Sequence, residues 1–383
     1  MEHAFLASRK HEAQLPFLYD EIIFEILSWL PVKSLLQSRA VCKSWKSLIS
    51  DPSFIKLHLQ RSLKYANIIV KSKLYDDKYV FAQPCTVASL FEKPSTTVIS
   101  AESAYRVNSS KYRFAGSCNG LVCLIGSIYS GDRVKQIRVR FWNPATRLRS
   151  TKSPVICVHL TTLFVFGFGY DNLTNTYKVV VVLCNEKSTQ VKVCSMGDGC
   201  WRTIQSLPIV PIPRLNYGVH FNGTLNWLAL SNSDTCKQLA IVSLDLGKET
   251  ASQSLLPCPS DEISVSQPSL SLGVLRDGLC LSYDYKGTHF VVWKTMESEV
   301  LSWIQLLKVS YQDLRIGFKL HASQLLPLRL YENGDILITL RYSGKLQAIM
   351  YNYKDNRVDR PKIYSSIEWI YDLDYLESLI SPI

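Results

Sequence analysis

Apolar residues change their spacing near residue 62, and the change divides the chain into two unequal parts. Before it, they recur at helical intervals. In the stretch DEIIFEILSWL (20–30), Ile22, Ile23, Ile26, Leu27 and Leu30 share one face of a predicted helix. Asp20 and Glu21 fall in its first turn, where the helix dipole favours acids. Pro31 ends that helix or opens the next, because it has no backbone N–H to donate. A second short helix is expected from about Val32 to Arg39, with Leu35 and Leu36 apolar. A third is expected from about Val41 to Ser50, with Val41, Trp45, Leu48 and Ile49 on one side. Asp51-Pro52-Ser53 breaks it and can cap a fourth turn carrying Phe54, Leu57 and Leu59.

Three or four short helices in about 45 residues make a marginal core. They carry more large apolar side chains than they can bury among themselves. Each one left in water forgoes about 1.5–3 kcal/mol. Part of this apolar surface is therefore expected to belong to an interface. The helical module is assigned to residues 15–61, with its first helix opening near Leu18, and residues 1–14 are expected to be a flexible lead-in.

Beyond residue 62 the apolar runs become short, β-branched and aromatic, with turn signals between them. Asn119-Gly120, Asn222-Gly223, Asp277-Gly278 and Asn333-Gly334 each precede a strand, and Asn175-Thr176 fills the gap in the series. Asn-Gly and Asp-Gly are hairpin signals because both turn positions need positive φ. A second series of turns lies in between, at residues 142–146, 196–199, 245–249, 295–299 and 354–357. The period is about 50 residues, the size of a four-stranded propeller blade. Five units are visible, and residues 66–115 have room for a sixth. The expected fold is a small helical module followed by an all-β, propeller-like domain over residues 62–383.

The helical segment resembles the F-box of plant F-box proteins. The match rests on Glu25-Ile26-Leu27, Leu30-Pro31-Val32-Lys33-Ser34-Leu35-Leu36, Val41-Cys42-Lys43 with Trp45, and Ser50-Asp51-Pro52 with Phe54. One position departs: the family usually opens its first helix with Leu-Pro, whereas Leu18 is followed by Tyr19. Losing the pre-set proline weakens that helix start slightly. The β region resembles the F-box-associated domain of plant proteins. Its matching pieces are Gly116-Ser117-Cys118-Asn119-Gly120-Leu121, Trp142-Asn143-Pro144-Ala145-Thr146-Arg147, Phe166-Gly167-Phe168-Gly169-Tyr170-Asp171, Tyr177-Lys178-Val179-Val180 and Trp201-Arg202.

The resemblance implies docking on a Skp-type adaptor and, through it, on a cullin–RING ubiquitin ligase. It assigns that docking to Leu18, Tyr19, Ile22, Ile26, Leu30, Pro31, Leu35, Val41, Cys42 and Trp45. It implies a non-catalytic substrate receptor whose β domain holds an unidentified target protein. Two other readings stay open: an F-box protein acting outside ubiquitylation, as an adaptor-bound regulator or decoy, and a nucleic-acid-binding β protein.

Composition is that of an ordinary globular protein and adds one asymmetry. The 383 residues are 47% apolar and 20% charged, which is ordinary globular composition. No stretch approaches the roughly 18 apolar residues of a membrane span, and the N-terminus has no secretory pattern. The protein is expected inside the cell, in cytoplasm and/or nucleus, with its eleven cysteines reduced. The net charge of +11 lies wholly in residues 1–150, which hold 22 Lys+Arg against 11 Asp+Glu, while the remainder holds 21 of each. A basic region favours an acidic partner. The densest cationic stretch is Arg133, Lys135, Arg138, Arg140, Arg147 and Arg149. It is read as a charged edge strand that blocks sheet-to-sheet pairing rather than as a nucleic-acid site.

No cofactor or metal is expected. The seven histidines are dispersed, no C-x-x-C pair exists, and Cys118 and Cys123 are assigned to strands with different faces. Gly116-Ser-Cys-Asn-Gly120 has the spacing of a nucleophile elbow, but that elbow needs a helix after it, and a hairpin is expected here.

Overall fold

The computed structural model describes residues 19–62, 67–73, 79–86, 105–108, 112–130, 133–185, 188–213, 217–232, 237–256, 270–296, 302–316, 324–342, 345–360 and 368–383. The expected lead-in at 1–14 and Leu18 lie outside them, as does most of the turn at 295–299.

Four helices open the described residues: α1 (Asp20–Ser28), α2 (Val32–Ser38), α3 (Lys43–Ser50) and α4 (Pro52–Ser62). The segment expected to be one turn is thus a full helix of 11 residues. Asp51 caps it, its Oδ1 accepting from Ser53 N at 2.8 Å and from Phe54 N at 3.4 Å. Cys42 caps α3, its Sγ accepting from Trp45 N at 3.4 Å. Pro31 precedes α2 and offers no side-chain cap. Leu27, Val32, Leu35, Ile49 and Phe54 form the buried centre of the unit. The phenyl ring of Phe24 stands edge-on to Phe54, with centroids 5.3 Å apart. His58 ties α4 to the loop after α1 by donating from Nε2 to Leu30 O at 2.9 Å.

Among the described residues, the strands of the β domain group into six propeller-like blades, the third and fourth continuous in one eight-stranded sheet. The first holds β1 (Asn67–Lys73), β2 (Tyr79–Thr86) and β3 (Tyr105–Asn108). The second holds β4 (Tyr112–Cys118), β5 (Leu121–Ser130), β6 (Val134–Asn143) and β7 (Leu148–Arg149), with β8 (Ile156–His159) also paired to β6. The third holds β9 (Leu163–Asp171), β10 (Thr176–Cys184), β11 (Thr189–Ser195) and β12 (Arg202–Ile204). The fourth holds β13 (Tyr217–Phe221), β14 (Thr224–Asn232), β15 (Lys237–Asp245) and β16 (Ala251–Leu255). The fifth holds β17 (Ser271–Leu275), β18 (Gly278–Tyr285), β19 (His289–Thr295) and β20 (Trp303–Ser310). The sixth holds β21 (Gln324–Leu330), β22 (Asp335–Tyr342), β23 (Lys345–Asn352) and β24 (Arg357–Asp359).

A last strand, β25 (Glu368–Tyr375), pairs antiparallel with β1 and becomes the innermost strand of the first blade. The residues expected to supply a sixth unit therefore supply three of its strands, and the fourth returns from about 300 residues later. This pairing completes the first blade and ties the last strand of the β domain to its first. Blades three and four are further joined by a short parallel pairing, Tyr217 with Phe166 and Gly218 with Gly167.

The hairpins follow the turn chemistry. Asn119 and Gly120 have φ of 50° and 82°, and Asn222 and Gly223 have 46° and 76°, each forming a two-residue loop. The turn at Asp277-Gly278 is displaced by one residue. Its loop residues are Arg276 and Asp277, with Arg276 at φ 55° and Gly278 already paired to Leu275.

The Phe166-Gly167-Phe168-Gly169 stretch of β9 shows why its residues alternate. Phe166 and Phe168 face blade two and its core. The glycines face blade four, where a Cβ on Gly167 would lie 2.9 Å from Leu225 and one on Gly169 would meet the His220 ring. Across this seam Lys178, buried, pairs with Asp171 at 3.0 Å and Glu249 at 3.1 Å and donates to Leu246 O at 2.6 Å.

The part of the cationic stretch on β6, Lys135, Arg138 and Arg140, is not an edge. Strand β6 is flanked by β5 on one side and by β7 and β8 on the other. Its alternation places Lys135 toward blade three, with Nζ 4.6 Å from the Phe164 ring centre. Arg138 and Arg140 are half-buried on the opposite face. No helix among the described residues is long and apolar enough to cross a membrane.

Candidate functional site

The helical unit turns a set of large apolar side chains outward. Tyr19 is 72% exposed, Val41 65%, Ile26 52% and Ile22 44%. They come from one end and one face of α1 and from the loop before α3, and Cys42 and Pro31 are exposed as well. Tyr19 caps α1 with its backbone alone, its carbonyl accepting from Ile22 N at 3.0 Å and Ile23 N at 3.1 Å. The amphipathic period of α1 decides the rest. Leu27 points into the helical core, while Ile22 and Ile26, four residues apart, lie one turn from each other on the outer side.

Leu30 and Trp45 are half-buried against the helical core. Leu35 is wholly buried within it, so its side chain presents nothing to a partner. An exposed aromatic outside the expected set, Trp29, joins the outer face. It donates to Glu25 Oε1 at 3.0 Å and lies under the Arg61 guanidinium, 4.4 Å from the ring centre. Arg61 in turn pairs with Glu25 at 2.9 Å. The Arg61 hydrogen bond holds the Glu25 carboxyl below its ordinary value. Trp29 was legible only as part of a helix, because its exposure depends on which side α4 covers.

Among the described residues of the β domain, Cys118 and His220 bring catalytic residue types together. Cys118 Sγ lies 3.5 Å from His220 Nδ1, and His220 Nε2 lies 3.2 Å from Tyr170 O. Tyr170 N lies 3.3 Å from the same Nε2, so this ring nitrogen faces both the amide and the carbonyl of Tyr170 while Nδ1 meets the Cys118 thiol. Burial pushes the Cys118 thiol up to about 12 and the His220 imidazole below 6.5. A nucleophilic cysteine needs the opposite shift. The pair is a satisfied buried hydrogen bond where β4, β9 and β13 meet, and Cys118 ends a strand that turns back through a hairpin rather than entering a helix. Cys118 and Cys123 also share one core, between blades two and three, in place of the separate faces expected for them. That core borders a cavity of about 490 Å³, lined by Phe141, Val179, Met196 and Trp201, with Lys152 and Ile383 at its rim.

Comparison with known proteins agrees with both parts of this architecture. The family model for the F-box domain matches residues 15–57. The family model for the F-box associated beta propeller domain matches residues 71–381. An F-box/kelch-repeat protein of Arabidopsis thaliana is 30% identical over 383 aligned residues, spanning 94% of this chain and 95% of that protein. An F-box protein of the same plant is 28% identical, over 76% of this chain and 68% of its own length. Among solved structures, a mutant of AofleA from Arthrobotrys oligospora aligns at a TM-score of 0.42 and 12% identity, over 81% of this chain and 89% of that one. The beta-propeller domain of the Trilobed protease from Pyrococcus furiosus aligns at 0.34 and 8%, over 66% and 84%.

Proposed function

Because this chain belongs to the F-box proteins that carry an F-box-associated β-propeller, we propose that it is the substrate-recognition subunit of an SCF-type ubiquitin ligase. The observation that carries this reading is the outward exposure of Tyr19, Ile22, Ile26 and Val41. A unit of this size gains stability by burying such side chains, and leaving four of them in water marks an interface. In this reading these side chains, with Pro31 and Cys42, dock a Skp-type adaptor that joins the chain to a cullin–RING ligase.

The work of the protein is then proximity. It holds a target near a ubiquitin-charged conjugating enzyme and raises the effective concentration of target lysines there. It forms no covalent intermediate and uses no cofactor. Such a role belongs inside the cell, in cytoplasm and/or nucleus.

The fold also favours one end of the propeller for the target. The β6–β7 turn meets the helical unit through Ala145, and the β4–β5 hairpin meets the segment 376–379 whose Leu379 enters that unit. In an antiparallel meander the β5–β6 connection, and its counterparts in the other blades, lie at the opposite end. Exposed Ile128, Tyr129, Leu160 and Leu163 sit at that far end.

A pull-down with a Skp-type adaptor tests the reading. The full chain should bind, and the Ile26→Asp, Val41→Asp double variant should not. Failure of the full chain to bind refutes the receptor role.

A further inference from the structure

The helical unit and the propeller are held together by a segment that follows the last strand. After β25, residues 376–383 leave the first blade and run between blade two and the helices. Leu379 enters the helical core, packed with Leu27, Val32, Leu35, Ile49 and Phe54. The Glu377 carboxyl faces Val32 N, the first helical amide of α2, which favours its charged form and which Pro31 leaves without a side-chain cap.

Blade two grips the same segment from the other side. Asn143 Nδ2 donates to Ser378 O at 2.9 Å and Ile380 O at 2.7 Å. Asn143 Oδ1 meanwhile accepts from Ala145 N at 2.9 Å and Thr146 N at 3.2 Å, which fixes its own turn. Ala145 N also donates to Tyr375 Oη at 3.1 Å, and Ala145 packs on the helical core. Ser378 is wholly buried, seated so closely on the hairpin that a Cβ on Gly120 would lie 2.6 Å from its Cβ and 2.7 Å from Leu376 O. The Asn-Gly hairpin and the Trp-Asn-Pro turn of this blade are thus both receptors for one segment.

We propose that residues 376–383 are a positioning element: they fix the angle between the adaptor-docking surface and the propeller, and so select which target lysines come within reach. The inference rests on the receptor reading for its consequence and on the contacts above for its geometry. An isolated linker after α4 would let the two units swing. A segment buried in one unit, hydrogen-bonded to the other and continuous with the strand that completes the first blade allows no such freedom.

The test uses the full chain with spin labels placed through unnatural amino acids at Lys56 on α4 and Gln305 on β20, both exposed. Double electron–electron resonance should give one narrow distance distribution. In the Glu377→Ala, Leu379→Ala double variant the distribution should broaden at least about twofold, with adaptor affinity unchanged within about twofold. Asn143→Ala, altered only on the propeller side, should broaden it as well. A distribution as narrow as the parent's in both variants overturns the proposal. Loss of adaptor binding together with helical signal in both variants also overturns it, by making the segment a folding element of the helices. The distance measurement needs no adaptor, so it stands apart from any failure of the parent chain to bind one.

Discussion

Truncating the outward side chains of the helical unit separates docking from folding. In the triple variant Ile22→Ala, Ile26→Ala, Val41→Ala, each parent side chain is about half to two-thirds exposed in the free protein. Fully burying such a side chain is worth about 1.5–3 kcal/mol, so each has roughly 0.7–1.5 kcal/mol left to gain on docking. Together they should contribute about 2–4 kcal/mol, which corresponds to an adaptor affinity about 30- to 700-fold weaker. The folded state loses little, because these side chains do little inside it. Leu35→Ala should behave in the opposite way. Leu35 is fully buried, and its truncation should cost about 2–5 kcal/mol of stability in the helical unit while leaving the affinity of the folded fraction unchanged. Calorimetric titration with a Skp-type adaptor, paired with thermal unfolding followed by helical circular dichroism, reads both quantities. An affinity for the triple variant within twofold of the parent would refute the assignment of this face.

Three further outcomes follow from the β domain and the buried histidines. Lys178→Met should lower stability by about 3–5 kcal/mol, because it leaves Asp171, itself buried, without its cation; denaturant unfolding measures it, and a neutral result would show that the hydrogen bonds from Leu173 and Thr174 satisfy Asp171 alone. Gly218→Ala should cost about 1–3 kcal/mol, since the new methyl would lie 2.5 Å from Trp227 Cε2 at the seam between blades three and four; a melting temperature equal to the parent's would contradict the close approach. Burial lowers both His58 and His220 below 6.5, so each is neutral in the fold and takes up its proton more readily when unfolded. Their contribution is complete above pH 6.5 and is lost as pH falls through the depressed folded values, so melting temperature should drop below about pH 6.5, and replacing both histidines should flatten that drop.

Local features of this fold were legible in the sequence. Ile22, Ile26 and Leu27 announce a helix by their spacing alone, and Asn119-Gly120 and Asn222-Gly223 announce hairpins because few other pairs accept positive φ twice. The repeat of about 50 residues named the blade. The resemblance to F-box proteins came from many short blocks in order, and the docking set was drawn from it. Misreadings arose wherever a residue's environment depends on a distant element. Leu35 and Ile26 are both apolar residues on short helices, and only the packing of α2 against its neighbours makes one core and the other surface. The arginine-rich strand β6 looked like an edge because β7 and β8 are short and β8 pairs with it across an intervening loop.

By itself, then, the sequence determined what chain neighbours decide: the first three short helices, the hairpins with their turn residues and the blade period. The tertiary structure alone decided the pairing of β25 with β1, the burial of Lys178 between blades, and the entry of Leu379 into a helical core more than 300 residues upstream. These are non-local contacts. Their free energy comes from complementary surfaces brought together by the whole fold, and no periodicity in the intervening residues records them.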